Sequence, residues 1–499
     1  MRQSRVNAMT GFAKSRSPIA GSTRCVNLYL EKNPPTSPSP YSLYPRPGYG
    51  LLKAEVQLGL ARCLYTASNG ALYKVVGTNV YYVDNNWAHT LLGTIAFGRT
   101  MCCMSDNGTD ILLVDGTSAG YSINLESNAM VAIIDPAFYG GDWVQYVGSC
   151  FMLNRPGTAQ AYISGTNALT FDPLDFLQKT SSPDPIASVV ALNNQPWLLG
   201  TLKGEVWYYT GAADFPFQQL PGVIIEHGLA AVYSPAATDK FVFWLTQDKD
   251  GKPWVARGGT DYGVVRVSTH SMENEIQNYR VWNDAIGYVK QQLGHTWYVI
   301  NFPSADKTWM FDLSVDNGVW SEPASIDTNG NLHRDRAQYQ QFAYNTNVCV
   351  DWQTGNLLQS SPTIYKDLDV VFPCVFSFQH SVDTLERVSY QAITADMEVG
   401  PINNDYNIQS PWSNGFSTGF GPTPVDDDNP VFLRQSVNRG VTFKNARRKS
   451  LGKVGNYQKI VRWWRLSMAR DSVFEISWAL NAKTALNSLF IAPSDASET

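Results

Sequence analysis

The chain has 499 residues, of which 44% are hydrophobic and 16% charged, and a formal net charge of -5 at pH 7. That length exceeds what one growing core supports, so a large domain plus a smaller one, or a repeat architecture, is expected. The apolar content excludes general disorder, and the acidic balance excludes a global field that draws the protein to nucleic acid.

Met1–Gly21 is basic and polar and lacks the apolar stretch of a secretory signal, which points to a protein made in the cytoplasm. No apolar run approaches the roughly 20 residues needed to span a bilayer, so no membrane insertion is expected. Residues 1–60 read as an extended segment that packs on a platform domain. Six prolines lie between Asn33 and Pro47, and each fixes its own φ and biases its predecessor away from helix.

Residues 61–397 have a uniform texture. Short runs rich in Val, Ile, Tyr, Trp and Phe, such as Ala71–Val76, Val206–Tyr209, Trp297–Ile300 and Trp309–Leu313, alternate with turn signals such as Asn69-Gly70, Asn107-Gly108, Asp115-Gly116 and Thr354-Gly355. Short helices are expected only around Asp172–Gln178 and Ser271–Tyr279. A strand, a Gly turn and another strand, repeated throughout, predict an all-β β-propeller. At roughly 40–50 residues per blade the stretch holds six or seven blades, about six given the degenerate repeats. Residues 398–430 are polar and rich in Gly and Asp, and read as a loop or linker. Residues 431–499 return to strand patterns and predict a β-sandwich-like platform.

The seven cysteines include no CxxC pair, and buried free thiols are the expected state. The six histidines are scattered without HExxH, so neither zinc nor another cofactor is expected. Gly116-Thr117-Ser118-Ala119-Gly120 matches the nucleophile elbow, but the alternating Tyr121–Leu125 after it predicts a strand where that motif needs a helix. Asp172 with Asp175, and Glu273 with Glu275, are close in sequence, yet glycoside hydrolysis needs two carboxylates across one bond; turn and surface roles fit better. Ser436–Phe443 fits the Asp-box turn pattern S-x-[DN]-x-G-x-T-[FW], and Ser314–Trp320 matches it in part; both predict tight turns and imply no activity. No catalytic residue is assigned.

One charge feature stands out. Lys444, Arg447, Arg448, Lys449, Lys453, Lys459, Arg462, Arg465 and Arg470 fall in a run without Asp or Glu, and Trp463 and Trp464 lie inside it. Such a run is either the basic face of a strand or an interface to an acidic partner ring or to DNA phosphates; the acidic remainder of the chain favours a protein partner.

Leu433–Gly440, Ser450–Tyr457, Arg462–Leu466, Ala469–Asp471 and Val473–Ser477 follow one another in an order that resembles phage tail-tube proteins. With Cys25–Glu31, Pro45–Tyr49 and Arg266–Glu273, they make the chain similar to the packaged-DNA stabilisation, or tail hub and nozzle, proteins of short-tailed bacteriophages. Asn438-Arg439-Gly440 departs from the more acidic turn expected there. The resemblance implies a homo-hexameric ring in the virion tail, below the portal and its adaptor ring, that continues the DNA channel and retains the packaged genome. Tailspikes or fibres would attach to its flank, a tail needle or plug would meet its tip, and genomic DNA would pass through the lumen without sequence-specific binding. It implies a structural protein with no enzymatic residues. The competing readings are a receptor-binding tail adhesin and a propeller-type glycan hydrolase.

Overall fold

The computed structural model describes residues 4–5, 11–17, 20–55, 58–96, 101–212, 215–316, 318–378, 380–382, 386–399, 429–452 and 460–494. Among these, seven antiparallel four-stranded sheets follow one another along the chain. They form blades 1 to 6 over residues 61–94, 103–132, 144–178, 186–225, 236–266 and 286–321. Blade 7 joins Ala337–Ala343, Thr346–Asp351 and Leu357–Ser361 to the distant strand Gly48–Lys53. The first strand of each blade lies beside that of the next, and Ala337–Ala343 lies beside Ala61–Thr66, so the ring closes. This is a seven-bladed β-propeller, one blade more than the roughly six expected, because the last blade borrows the distant strand Gly48–Lys53.

Hydrophobic patterning explains the placement of the strands. The second strand of a blade is covered by a neighbouring blade on each face, so it reads as a continuous apolar run. Leu72–Val76, Cys150–Asn154 and most of His295–Phe302 are buried throughout. Outer strands such as His89–Thr94 and Val264–Arg266 are largely exposed. Gly108 turns one hairpin at φ +87°, a conformation that costs glycine little. Gly355 (φ +76°) has a second reason to lack a side chain, since a Cβ there would stand 2.5 Å from Val76 at the seam between blades 7 and 1. The same seam buries the Lys74–Glu55 ion pair, and the Glu55 amide donates to Asn356 Oδ1 at 2.7 Å.

The propeller ends at Ser361 rather than at 397, because Cys374–Ser377 and Ser389–Val399 find their partners in the C-terminal strands Asp471–Trp478 and Thr484–Ser494. A second expectation also fails. Asp172–Gln178 is not helical but belongs to the strand Phe171–Gln178, the outer edge of blade 3. Its apolar spacing mimics a helical turn because the strand carries a bulge. The second expected helix is present as His270–Gln277, capped by Thr269, whose side chain accepts from the Met272 amide.

Of the remaining strands, two pairs form hairpins, Ala13–Lys14 with Ser22–Thr23 and Ala324–Ile326 with Leu332–Arg334, and the rest form two six-stranded sheets built from both ends of the chain. One orders Val461–Trp464, Ser389–Val399, Thr484–Ser494, Tyr41–Pro45 and Leu28–Lys32, with Ser4–Arg5 also paired to Thr484–Ser494; the other orders Cys25–Val26, Cys374–Ser377, Asp471–Trp478, Pro430–Ser436 and Arg447–Ser450, with Ser381–Val382 also paired to Asp471–Trp478. Leu28, Leu43, Phe376, Ile393, Leu433, Trp463, Phe474, Ile476 and Leu489 share a core between them, which makes a β-sandwich-like platform. Most of the stretch expected to be a loop or linker, residues 400–428, lies outside the described residues.

The two bodies meet at Arg46-Pro47, where the chain leaves a platform strand and enters the outer strand of blade 7. Arg46 is 1% exposed. Its guanidinium donates to Asp367 Oδ2 at 2.6 Å, Asn27 Oδ1 at 2.8 Å and the Pro47 carbonyl at 3.0 Å, and lies 3.5 Å from Asp335. The Tyr49 hydroxyl donates to Asp335 at 2.6 Å, and the Phe372 ring packs under the guanidinium at 4.4 Å. Arg46→Met should therefore destabilise the protein by about 3–5 kcal/mol, because two buried carboxylates lose their cation. A denaturant titration against the wild type measures it.

Candidate partner interface on the platform

The basic run maps to the side of the sandwich where the two sheets' edge strands meet. Arg447–Ser450 is the edge of one sheet and Val461–Trp464 the edge of the other. An edge strand leaves a row of unpaired backbone groups, and here the two edges satisfy one another. Arg447 Nη1 donates to the carbonyls of Trp464 and Arg465 at 2.9 and 2.8 Å, while Trp463 Nε1 returns a bond to the Arg447 carbonyl at 2.8 Å. Trp463 is 1% exposed and fills the core between the sheets. Arg447 thus seals the sandwich.

The other members of the run divide by direction. Lys444 is tied to Ser467 Oγ at 2.6 Å. Arg462 donates to Thr394 Oγ1 at 2.9 Å and lies over the Trp464 ring at 5.0 Å. Arg448 and Lys449 are exposed on the edge strand, opposite Phe432 and Val431. Arg465 and Arg470 are exposed. Lys453 and Lys459 lie outside the described residues. Arg465 holds a left-handed backbone (φ +55°), pinned by its amide bond to the Gln391 carbonyl at 2.8 Å. Beside these cations Trp464 is 55% exposed, Ile460 61% and Met468 50%. The charge count alone does not reveal this apolar component; the dyad Trp463-Trp464, one ring inward and one outward by strand alternation, is the signal that could have.

The candidate catalytic groups do not converge. Ser118 is an exposed turn residue, and Gly120 begins the strand Gly120–Asn124 where a nucleophile elbow would need a helix. Glu273 is held by Ser268 Oγ at 2.8 Å and Arg266 Nε at 3.0 Å, and anchors the helix. Asp172 and Asp175 stand on the outer edge of blade 3. The Ser436–Phe443 turn closes on itself: Ser436 Oγ donates to Asn438 Oδ1 at 2.8 Å, which also accepts from the Thr442 amide at 2.9 Å. All seven cysteines are free thiols, and burial pushes Cys103 up to about 11, so it stays protonated at neutral pH.

Where blade 6 meets the platform, His295 Nδ1 bonds Asp312 at 2.7 Å, its ring stacks on Trp297 at 5.3 Å, and Tyr29 of the platform meets it edge-on at 5.2 Å. Burial works against protonation of His295, but the hydrogen bond and charge of Asp312 outweigh it and raise the pKa above 6.5.

The propeller's central cavity, of about 480 Å3, is lined by Tyr65, Tyr233, Tyr339, Gln341 and Phe342 among others. That is the size of a small-molecule site.

A closed seven-bladed propeller joined to a β-sandwich-like platform, which carries a cationic and aromatic edge, defines the protein's class by its fold. The comparisons narrow the class. The phage-stabilisation family model, described as "Bacteriophage P22 Gp10, beta-propeller", matches residues 22–365, more than half of the chain, and the chain belongs to that family. It is a structural protein of bacteriophage particles. No curated protein matches. Among solved structures, the extracellular domain of the one component system BT4673 from B. thetaiotaomicron is 9% identical with a TM-score of 0.43, over 69% of this chain and 43% of that one. The WD40 beta propeller domain of Doa1 is 11% identical with a TM-score of 0.39, over 62% of this chain and 96% of that one. A chain of the Mitotic Checkpoint Complex is 12% identical with a TM-score of 0.41, over 71% and 99%.

Two measurements check the local assignments. Arg447→Ala should cost about 1.5–3 kcal/mol, the worth of hydrogen bonds from a charged donor, whereas Lys449→Ala should stay within about 0.5 kcal/mol; urea melts separate them. Because His295 is more basic folded than unfolded, its contribution is complete below about pH 6.5 and is lost as pH rises through the folded pKa. His295→Gln should flatten the fall in stability measured between pH 6 and 8.5.

Proposed function

We propose that the chain forms the hub, or nozzle, ring of a short-tailed phage tail, below the portal and its adaptor ring, and retains the packaged genome. The observation that carries this reading is the extent of the family match. It runs over residues 22–365, from the first platform strands through all seven blades. Six copies around an axis would enclose a lumen continuous with the DNA channel, with tailspikes or fibres on the flank and a needle or plug at the tip.

Charge supports the role. Every Lys or Arg placed on a phosphate adds salt-dependent affinity, and a conduit has to let its cargo slide. A chain with net charge -5 that gathers nine cations into one stretch keeps most of its surface neutral or acidic. The exposed part of that stretch, with Trp464 at its centre, suits a protein interface, where aromatic and Arg side chains carry most of the binding energy.

The test is a phage in which the gene is disrupted, with DNA-filled and empty heads counted by electron microscopy. Heads that package DNA, lack the tail hub and then leak are the expected result. Full, tailed heads that only fail to bind or digest the host surface would overturn the hub in favour of an adhesin or a depolymerase.

A further inference from the structure

The platform is fastened to blades 6 and 7. Tyr29 packs on Trp297 of blade 6 at 5.7 Å, the Asn27 amide donates to the Glu322 carbonyl at 3.0 Å, and blade 7 takes its outer strand from the chain leaving the platform. In a closed ring of seven blades, blade 3 is three steps from blade 6 and three from blade 7. It therefore lies across the ring from the platform.

The outer strand of blade 3 is irregular there. Phe171 pairs with Ser164 and Phe176 with Tyr162, so Asp172-Pro173-Leu174-Asp175 bulges out opposite the single residue Ile163. Leu174 at the tip is 79% exposed and Phe176 40%. A large apolar side chain this bare, on a bulge flanked by two carboxylates, has the composition of a contact point. Pro173 removes a backbone donor, so this edge cannot recruit a further strand and has to bind through side chains.

This bulge and the platform edge are complementary. The platform offers an exposed ring, Trp464, next to Arg465 and with Lys449 on the adjoining edge strand, in a stretch without acidic residues; the bulge offers Leu174 between Asp172 and Asp175. We propose that these surfaces are the two halves of one contact, in which the Trp464–Arg465 edge of one copy seats on the Asp172–Asp175 bulge of the next. The proposal rests on the hub reading and supplies its subunit interface. Because the two halves differ and lie on opposite sides of the molecule, the contact is heterologous and propagates from copy to copy until a ring closes.

The full chain can be tested by sedimentation velocity. Wild type should assemble beyond a dimer as concentration rises. Trp464→Ser with Arg465→Asn (Asn tolerates the left-handed backbone) should weaken self-association about 100-fold, as should Leu174→Ser with Asp175→Ser. Unchanged thermal melts would show that each variant is folded. Mixing the two variants should give dimers that grow no further, since each brings one intact half. A wild type that stays monomeric at every concentration, a folded variant that assembles like wild type, or a mixture that fails to pair would each overturn the proposal. Heads that leak in the gene disruption would still leave the hub reading standing, so the two fail separately.

Discussion

The structure turns on one buried cation. Arg46 stands where the chain passes from platform to propeller, and its partners come from stretches far apart in sequence: Asn27, Asp335 and Asp367. A guanidinium taken out of water costs several kcal/mol unless its donors are matched. Asn27 helps by holding a left-handed backbone (φ +56°), which lets its side-chain oxygen accept from both Arg46 and the Ala324 amide. Apolar packing between the two bodies would tolerate a range of angles. Directional bonds to one fixed point do not, and they set how the propeller sits on the platform.

That orientation gives the surface features their meaning. The sealed edges of the sandwich and the bulge on blade 3 are local devices, each explicable by strand chemistry. Their separation in one molecule is set by the bonded junction at Arg46 and by the closed ring of blades. The N-terminal segment serves both bodies: it supplies strands to each platform sheet, then the outermost strand of the last blade, and Glu55 beyond it pins the seam between blades 7 and 1.

Much of this was legible in the residues. Trp297–Ile300 and Ile111–Val114 announce strands covered on both faces, and Asx-Gly pairs mark the hairpins between them. The basic stretch was visible as a run of charge. What could not be read was the assignment of distant partners. Nothing in Gly48–Lys53 says that its mate is Leu357–Ser361, and nothing in Arg447 distinguishes a cation that seals an edge from its neighbour Lys449, which meets solvent. Periodicity reports faces, not partners. The Asp172–Gln178 segment misled for a related reason: extra residues in a bulged strand shift the apolar spacing from two towards the helical period.

Closing a ring with its own beginning also has a cost in time. Gly48 has to wait for Ser361, 313 residues later (361 - 48), before blade 7 has its fourth strand. At roughly 5–20 residues per second of synthesis, that is about 15–60 s during which the first blades exist without a closed ring. The platform waits longer still, because its central strands Asp471–Trp478 and Thr484–Ser494 come after blade 7 in the chain. Pairings this distant in sequence fold slowly, and open strand edges invite the wrong neighbours meanwhile. The same delay acts as a checkpoint on quality. The platform edge has no complete sandwich to rest on until Asp471–Trp478 and Thr484–Ser494 have been translated, so a product truncated before them lacks that core.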